Sequence, residues 1–307
     1  MTRSYWPLLL SLAAAWGASY LFIKVAVDDI EPAPMMAARS LIAAALLVPY
    51  LLLTLGRRRA LTDLRSSWRD ALVLGAINAA IPFWLVAWGE KHVDSSVAGI
   101  AQATVPLCSF LVGLRFLPHE RIAPARWVGV GLGVVGVGLL AGFNPQGGWW
   151  AVAGTLAVVL ASLSYASAAI YGQLRLRAVS GPVLAAGSMV AATLLLLPPS
   201  LFQLPDERPG WKAIAGLLAL AVVGTALAQL VLYRVLALYG ARRLSLVTYL
   251  MPAFALAYGA LLLDEPVTGA AVGGLALILL GVAFGSGAVR PGRQRQPEPE
   301  PEPVTGR

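Results

Sequence analysis

The sequence predicts an all-α membrane protein, with ten transmembrane helices forming two inverted five-helix repeats. Composition is the first reason: 58% of the 307 residues are apolar, only 12% are charged, and mean hydropathy is +0.75. Soluble chains carry about 25% charged residues, and a soluble fold could not cover this much apolar surface. A cytosolic enzyme, a disordered chain and a disulfide scaffold are thereby excluded. The second reason is the length of the apolar runs, each close to the ~20 residues a helix needs to cross hydrocarbon with its backbone polar groups satisfied internally. The third is self-similarity at a shift of about 146 residues.

The ten runs are Tyr5 to Val27, Pro34 to Leu55, Ala71 to Trp88, Ser96 to Phe116, Arg126 to Phe143, Trp149 to Tyr171, Pro182 to Phe202, Lys212 to Leu236, Leu244 to Leu263 and Gly269 to Val289. Short connections leave no room for an inserted soluble domain. The first run continues past Ala13, Ala14 and Ala15 through Trp16, Tyr20 and Phe22. It therefore reads as a span rather than a cleaved leader. Residues 290–307, rich in alternating Pro and Glu, read as a disordered cytoplasmic tail.

Charge sets the orientation. Of 23 Lys and Arg, 18 fall on one side of the predicted spans and four (Lys24, Lys91, Arg208, Lys212) on the other, with Arg39 inside the second span. The positive-inside rule then puts both termini in the cytoplasm of a protein crossing the cytoplasmic membrane. The same clustering accounts for the net charge of +8 without nucleic acid as a partner. The one cysteine, Cys108, has no thiol to pair with and lies in an apolar run, so it reads as packing.

At a shift of 146, Pro106 falls on Pro252 and Gly113 on Gly259; after a one-residue gap Glu120 falls on Glu265, Gly129 on Gly274 and Gly136 on Gly281. Each repeat holds five spans, an odd number, so the second must enter the membrane inverted. The repeats run over residues 5–143 and 149–289. Exchange of conformation between two such halves turns an outward-open carrier inward-open, a need that a membrane enzyme lacks.

WGASYLFIKV in the first span, Arg39 in the second, VPLCSFLVGLRFLPHERI, and MPAFALAYGALLLDEPV with GGLALILLG in the second half resemble the ten-helix EamA-type family of the drug/metabolite transporter superfamily. That resemblance spans nearly all of Tyr5 to Ala288. It implies a basket of ten helices around a central cavity, and efflux of amino acids, other metabolites or drugs.

Polar and aromatic side chains at membrane depth are the candidates for a small-molecule site, because hydrocarbon tolerates them only against a cavity or another helix. Trp16, Ser19 and Tyr20 share one face of the first span; Lys24, on the same face but near the outer end, is expected to snorkel to headgroups. Asn78, Gln102 and Gln229 supply amides that can donate to a carboxylate and accept from an ammonium. Trp84, Tyr165, Thr225 and Tyr249 complete the candidate substrate-binding set, Tyr165 aligning with Trp16 at a separate shift of 149. Each of these also has a plain packing or interhelical bonding role open to it. Five further residues are assigned to gating or structure. Arg39 has Asp28, Asp29 and Glu31 of the preceding loop as tempting partners. Pro106 and Pro252 are hinges or fixed bends. Glu120 and Glu265 are boundary carboxylates that close gates or cap helices. The glycine-rich runs Gly129 to Gly138 and Gly273 to Gly285 read as close-packing or dimerisation surfaces, leaving a homodimer open.

No acid is expected deep in a span, so no proton relay is legible, and neither a cofactor nor a metal site is indicated. Two alternatives to a secondary exporter remain at this stage. A multi-span transferase needs paired acids or a catalytic His, whereas Asp28 with Asp29 is the one adjacent pair of aspartates and His92 and His119 fall on opposite faces. A non-transporting scaffold predicts a bundle packed solid through its centre.

Overall fold

The computed structural model describes residues 4–117, 123–142, 148–176, 179–204 and 207–285. Eleven helices organise them. α1 (Trp6–Val27), α2 (Pro32–Leu55), α4 (Trp68–Glu90), α5 (Ser95–Phe116), α6 (Pro124–Gly142), α7 (Gly148–Arg175), α8 (Gly181–Ser200) and α9 (Trp211–Tyr239) are long and apolar enough to cross a membrane; α10 (Val247–Leu262) and α11 (Gly269–Gly285) are shorter apolar helices. A short helical turn, Ala241–Leu244, precedes α10. The remaining helix, α3 (Arg57–Ser66), falls where the sequence suggested only a connection. It carries Arg57, Arg58, Arg59 and Arg65 and buries only Ala60, the pattern of a basic helix lying against headgroups. The proposed tail and Glu120 lie outside the described residues.

Helix pairing follows a pseudo-twofold. α2 packs on its repeat mate α8, α5 on α10, and α6 on α11. α1 packs chiefly on α9 and α10 of the other half, and α7 reciprocally on α4 and α5. Each repeat thus lends its first helix to the other.

The α6 and α11 crossing explains the glycine rows. A Cβ on Gly281 would sit 2.5 Å from the Gly129 carbonyl oxygen, and one on Gly136 would sit 3.0 Å from that of Gly274. These two contacts interchange under the repeat alignment. Without side chains the backbones approach closely enough for packing to hold them together where lipid gives no hydrophobic drive. Gly131, between these positions, and Gly138, just beyond them, meet nothing. The glycine rows are therefore used within the chain.

Two spans are interrupted at the same repeat position. Ala76–Ala80 in α4 and Val222–Leu227 in α9 are π-helical turns, again 146 residues apart at their starts. Such turns free carbonyls and cluster at functional sites. Here the Ser164 hydroxyl donates to the Ile77 carbonyl (2.7 Å), and that of Thr225 to the Leu220 carbonyl (2.9 Å). In α5 a tight three-residue turn, Gln102–Thr104, precedes Pro106, whose missing N–H cannot bond the Gln102 carbonyl. Pro252 lies buried inside α10.

Candidate functional site

A cavity of about 410 Å³ lies between the halves. It takes residues from α1, α2, α4, α5, α7, α9 and α10, and ends at exposed Ser245, just beyond the Ala241–Leu244 turn. The mouth is thus at the arginine-rich end of the bundle. Aromatic area comes from Trp16, Tyr20, Phe83 and Tyr165, and amides from Asn78, Gln102 and Gln229. Both π turns contribute, through Asn78 and through Gly224 and Thr225.

Among the described lining residues Arg39 is the one cation, and none carries a carboxylate. It is 6% exposed. Its Nε donates to the Thr225 hydroxyl at 2.8 Å, a guanidinium nitrogen lies 3.6 Å from Met36 Sδ, and Cζ stands 3.7 Å from the centre of the Phe83 ring. Two of the three loop acids are engaged elsewhere: Asp29 accepts from the Gly210 N–H, and Glu31 pairs with Lys91 at 2.6 Å. Arg39 thus belongs to the cavity wall, held by a hydroxyl and a ring rather than by an acid. Both amide atoms of Gln102 and the amide oxygen of Gln229 have no hydrogen-bond partner among the described residues.

Eight of the ten candidate substrate-binding residues come together here: Trp16, Ser19, Tyr20, Asn78, Gln102, Tyr165, Thr225 and Gln229. Two do not. Trp84 stacks on Trp88 (centroids 6.4 Å apart), which continues through His92 to Trp150 along the flank of α4 and α7. Tyr249 packs against the cluster built around Ile100, Leu140 and Ile278.

The far end is closed by polar contacts rather than by an apolar plug. Lys24, expected to reach headgroups, instead donates to the carbonyls of Glu90 (2.8 Å) and Val93 (2.9 Å). Glu265 reaches across from the α10–α11 connection and accepts the N–H groups of Ser95 (2.7 Å) and Ser96 (2.9 Å). It thereby caps the start of α5, where the helix dipole favours a negative charge. Beyond these contacts opens a vestibule of about 670 Å³ whose lining includes Asp28, Asp29, Asp94, Asp264 and Glu265 with Lys24 and Lys212. Burial, reinforced by Glu265, holds the Asp94 carboxyl above its ordinary range despite Lys24.

A buried acid stands at the end of one span. Glu90, the last residue of α4, is 0% exposed, and neither carboxylate oxygen has a hydrogen-bond partner among the described residues. Burial comes from the tight meeting of α4 with α7, where Gly89 faces the Gly154 carbonyl and Val158, together with Lys24 closing over it.

The sequence profile of the EamA-like transporter family matches residues 4–142 and 152–286. Among similar proteins, the uncharacterized inner membrane transporter YedA of Escherichia coli K12 is 30% identical over 72% of this chain and 70% of its own. An uncharacterized transporter of Archaeoglobus fulgidus is 26% identical over 90% of this chain and 96% of its own, and the uncharacterized transporter YoaV of Bacillus subtilis 24% over 89% and 94%. A solved crystal structure superposes with a TM-score of 0.63 at 21% identity, covering 92% of this chain and 96% of that one, a likeness of fold alone. With the profile matching both halves, the chain belongs to the EamA-like transporter family of the drug/metabolite transporter superfamily and is a multi-pass membrane transporter.

Proposed function

We propose that the chain is a secondary exporter of amino acids, related metabolites or drugs, working by alternating access between its halves, and that the central cavity is its solute site. In this reading the repeats are residues 5–143 and 149–289, both termini are cytoplasmic, and the conformation described is open to the cytoplasm through the mouth at Ser245.

The observation that carries it is Arg39 in the cavity wall, with no ion pair to an acid among the described residues. A guanidinium held by one hydroxyl keeps donors free for a carboxylate, and charge-assisted pairing of this kind is strong and directional. The unpartnered amide of Gln102 matches the polar groups of the same solute, and the rings of Trp16, Tyr20 and Tyr165 supply apolar contact area. Among the three substrate classes, those bearing a carboxylate fit best.

The test is uptake and counterflow in proteoliposomes across a panel of amino acids, other metabolites and drugs, with and without a pH gradient. Carboxylate-bearing solutes should exchange, and Trp16→Ala, Gln102→Ala and Gln229→Ala should each weaken exchange. If all three variants transport an established solute like the parent, the site is refuted; if no panel member moves, the exporter reading falls with it.

A further inference from the structure

The septum between cavity and vestibule is one turn of α1 thick: Tyr20 and Ile23 line the cavity, Lys24 the vestibule. Glu90 stands beside that turn. An ionised carboxylate only accepts hydrogen bonds, yet both oxygens of Glu90 lack a donor and the residue is sealed from solvent. Burying such a charge unpaired is costly, and neutralisation is the usual escape.

The surroundings do not supply the missing partner. From α1, Lys24 gives two of its three N–H donors to the carbonyls of Glu90 and Val93 and makes no hydrogen bond to the carboxylate, and Tyr20 turns its hydroxyl to Met251 Sδ. From α2, Arg39 directs Nε to Thr225 and its face to Phe83; its charge reaches Glu90 without a hydrogen bond to the carboxylate. From the α10–α11 connection comes Glu265, a negative neighbour whose oxygens are taken by Ser95 and Ser96; Asp94, just before α5, stands near Glu265 and Lys24. α7 presents Gly154 and Val158 to the adjoining Gly89.

Resting on the carrier reading above, we propose that Glu90 is a proton-binding site that must be filled for the septum to close. With the proton on, the neutral acid tolerates burial and Lys24 is free to hold the two carbonyls. Opening breaks those two bonds and admits vestibule water. The carboxylic O–H bond then breaks, water accepts the proton, and the carboxylate left behind is solvated or pairs with Lys24. Closing reverses this with a proton drawn from the acidic vestibule, so acidity on that side favours the closed septum. No electron moves.

Two measurements on the full chain test this. Infrared difference spectra of purified protein should show the carbonyl stretch of a protonated carboxylic acid at neutral pH. That band should disappear on alkaline titration, be missing in Glu90→Gln, and be retained in Glu265→Gln. In intact cells, Ile23→Cys in a Cys108→Ser background should react with a membrane-impermeant thiol reagent increasingly as external pH rises. Linkage to one proton allows up to about tenfold per pH unit in the open-to-closed ratio. Adding Glu90→Gln, which mimics the protonated acid, should make labelling low and independent of pH. Absence of the band in the parent overturns the proton site and leaves the carrier reading standing. A band without external labelling at any pH overturns both. Labelling whose pH dependence survives Glu90→Gln assigns the proton elsewhere and refutes the proposal; the parent's alkaline titration decides the first point even where the variant fails to fold.

Discussion

Replacing Arg39 by Met separates binding from packing. In a structural role the guanidinium holds α2 to α9 through Thr225 and to α4 through Phe83. Removing it forfeits one charge-assisted hydrogen bond, about 1.5 to 3 kcal/mol, and a desolvated cation–π contact of about 2 kcal/mol. Against this stands the cost of keeping a cation buried, several kcal/mol per ion in proteins. Met restores most of the apolar volume. It leaves no orphaned donor, because the Thr225 hydroxyl still donates to the Leu220 carbonyl. The opposing contributions cancel to within about 2 kcal/mol, so the purified variant should melt close to the parent in detergent. Transport should behave otherwise. A carboxylate deprived of the guanidinium loses about 1.5 to 3 kcal/mol, roughly a 10- to 150-fold drop in affinity in counterflow. Arg39→Lys should recover only part of it, a point charge lacking the fork. Unchanged affinity in Arg39→Met would refute the solute role. A stability loss beyond about 3 kcal/mol, the range for breaking a buried pair, would assign Arg39 to structure instead.

Glu265→Ala removes both capping bonds at the start of α5 and should lower stability by about 1 to 2 kcal/mol, read as a drop in melting temperature, with Glu265→Gln falling between. Gly281→Val drives a side chain into the Gly129 carbonyl and should cost about 1 to 3 kcal/mol or abolish folded expression, whereas Gly138→Val, facing open space, should melt like the parent. Asp94 contributes a pH dependence of fixed sign. Its pKa is raised in the fold, so its stabilising contribution is complete below the ordinary value of 3.8 and is lost as pH climbs through the raised one. Relative to Asp94→Asn, the parent should lose stability across that window, by a small amount because the side chain is only half-buried. A parent that gains stability there relative to the variant contradicts the assignment.

The architecture was legible because its signals are long. Runs of about 20 apolar residues are dictated by bilayer thickness, and repeat matches such as Gly129 with Gly274 persist through backbone contacts that a side chain would break. Residues near the midplane were legible for a related reason: hydrocarbon punishes unplaced polarity, and Asn78, Gln102 and Gln229 do meet at one cavity. Helix ends carry no such rule. Glu90 and Lys24 each terminate an apolar run, and only the fold distinguishes a headgroup contact from a septum. The single clue was Gly89, which lets α7 come close beside Glu90. Trp84 misled because two rings four residues apart satisfied each other by stacking rather than facing a solute. Pro82 hinted at one π turn by withholding the N–H that would bond the Asn78 carbonyl, but α9 makes its matching turn without a proline.

The exchange of first helices between repeats bears on how the molecule is made. α1 leaves the ribosome well before α9 and α10, its main neighbours, have been synthesised. Until then it must wait in lipid with the Lys24 ammonium unpaired by its eventual carbonyls whenever α4 has yet to arrive. Neither half owns a complete set of partners, so a gene cut between α6 and α7 should yield fragments that persist only when produced together. Duplication here has generated two sequences but one indivisible assembly unit.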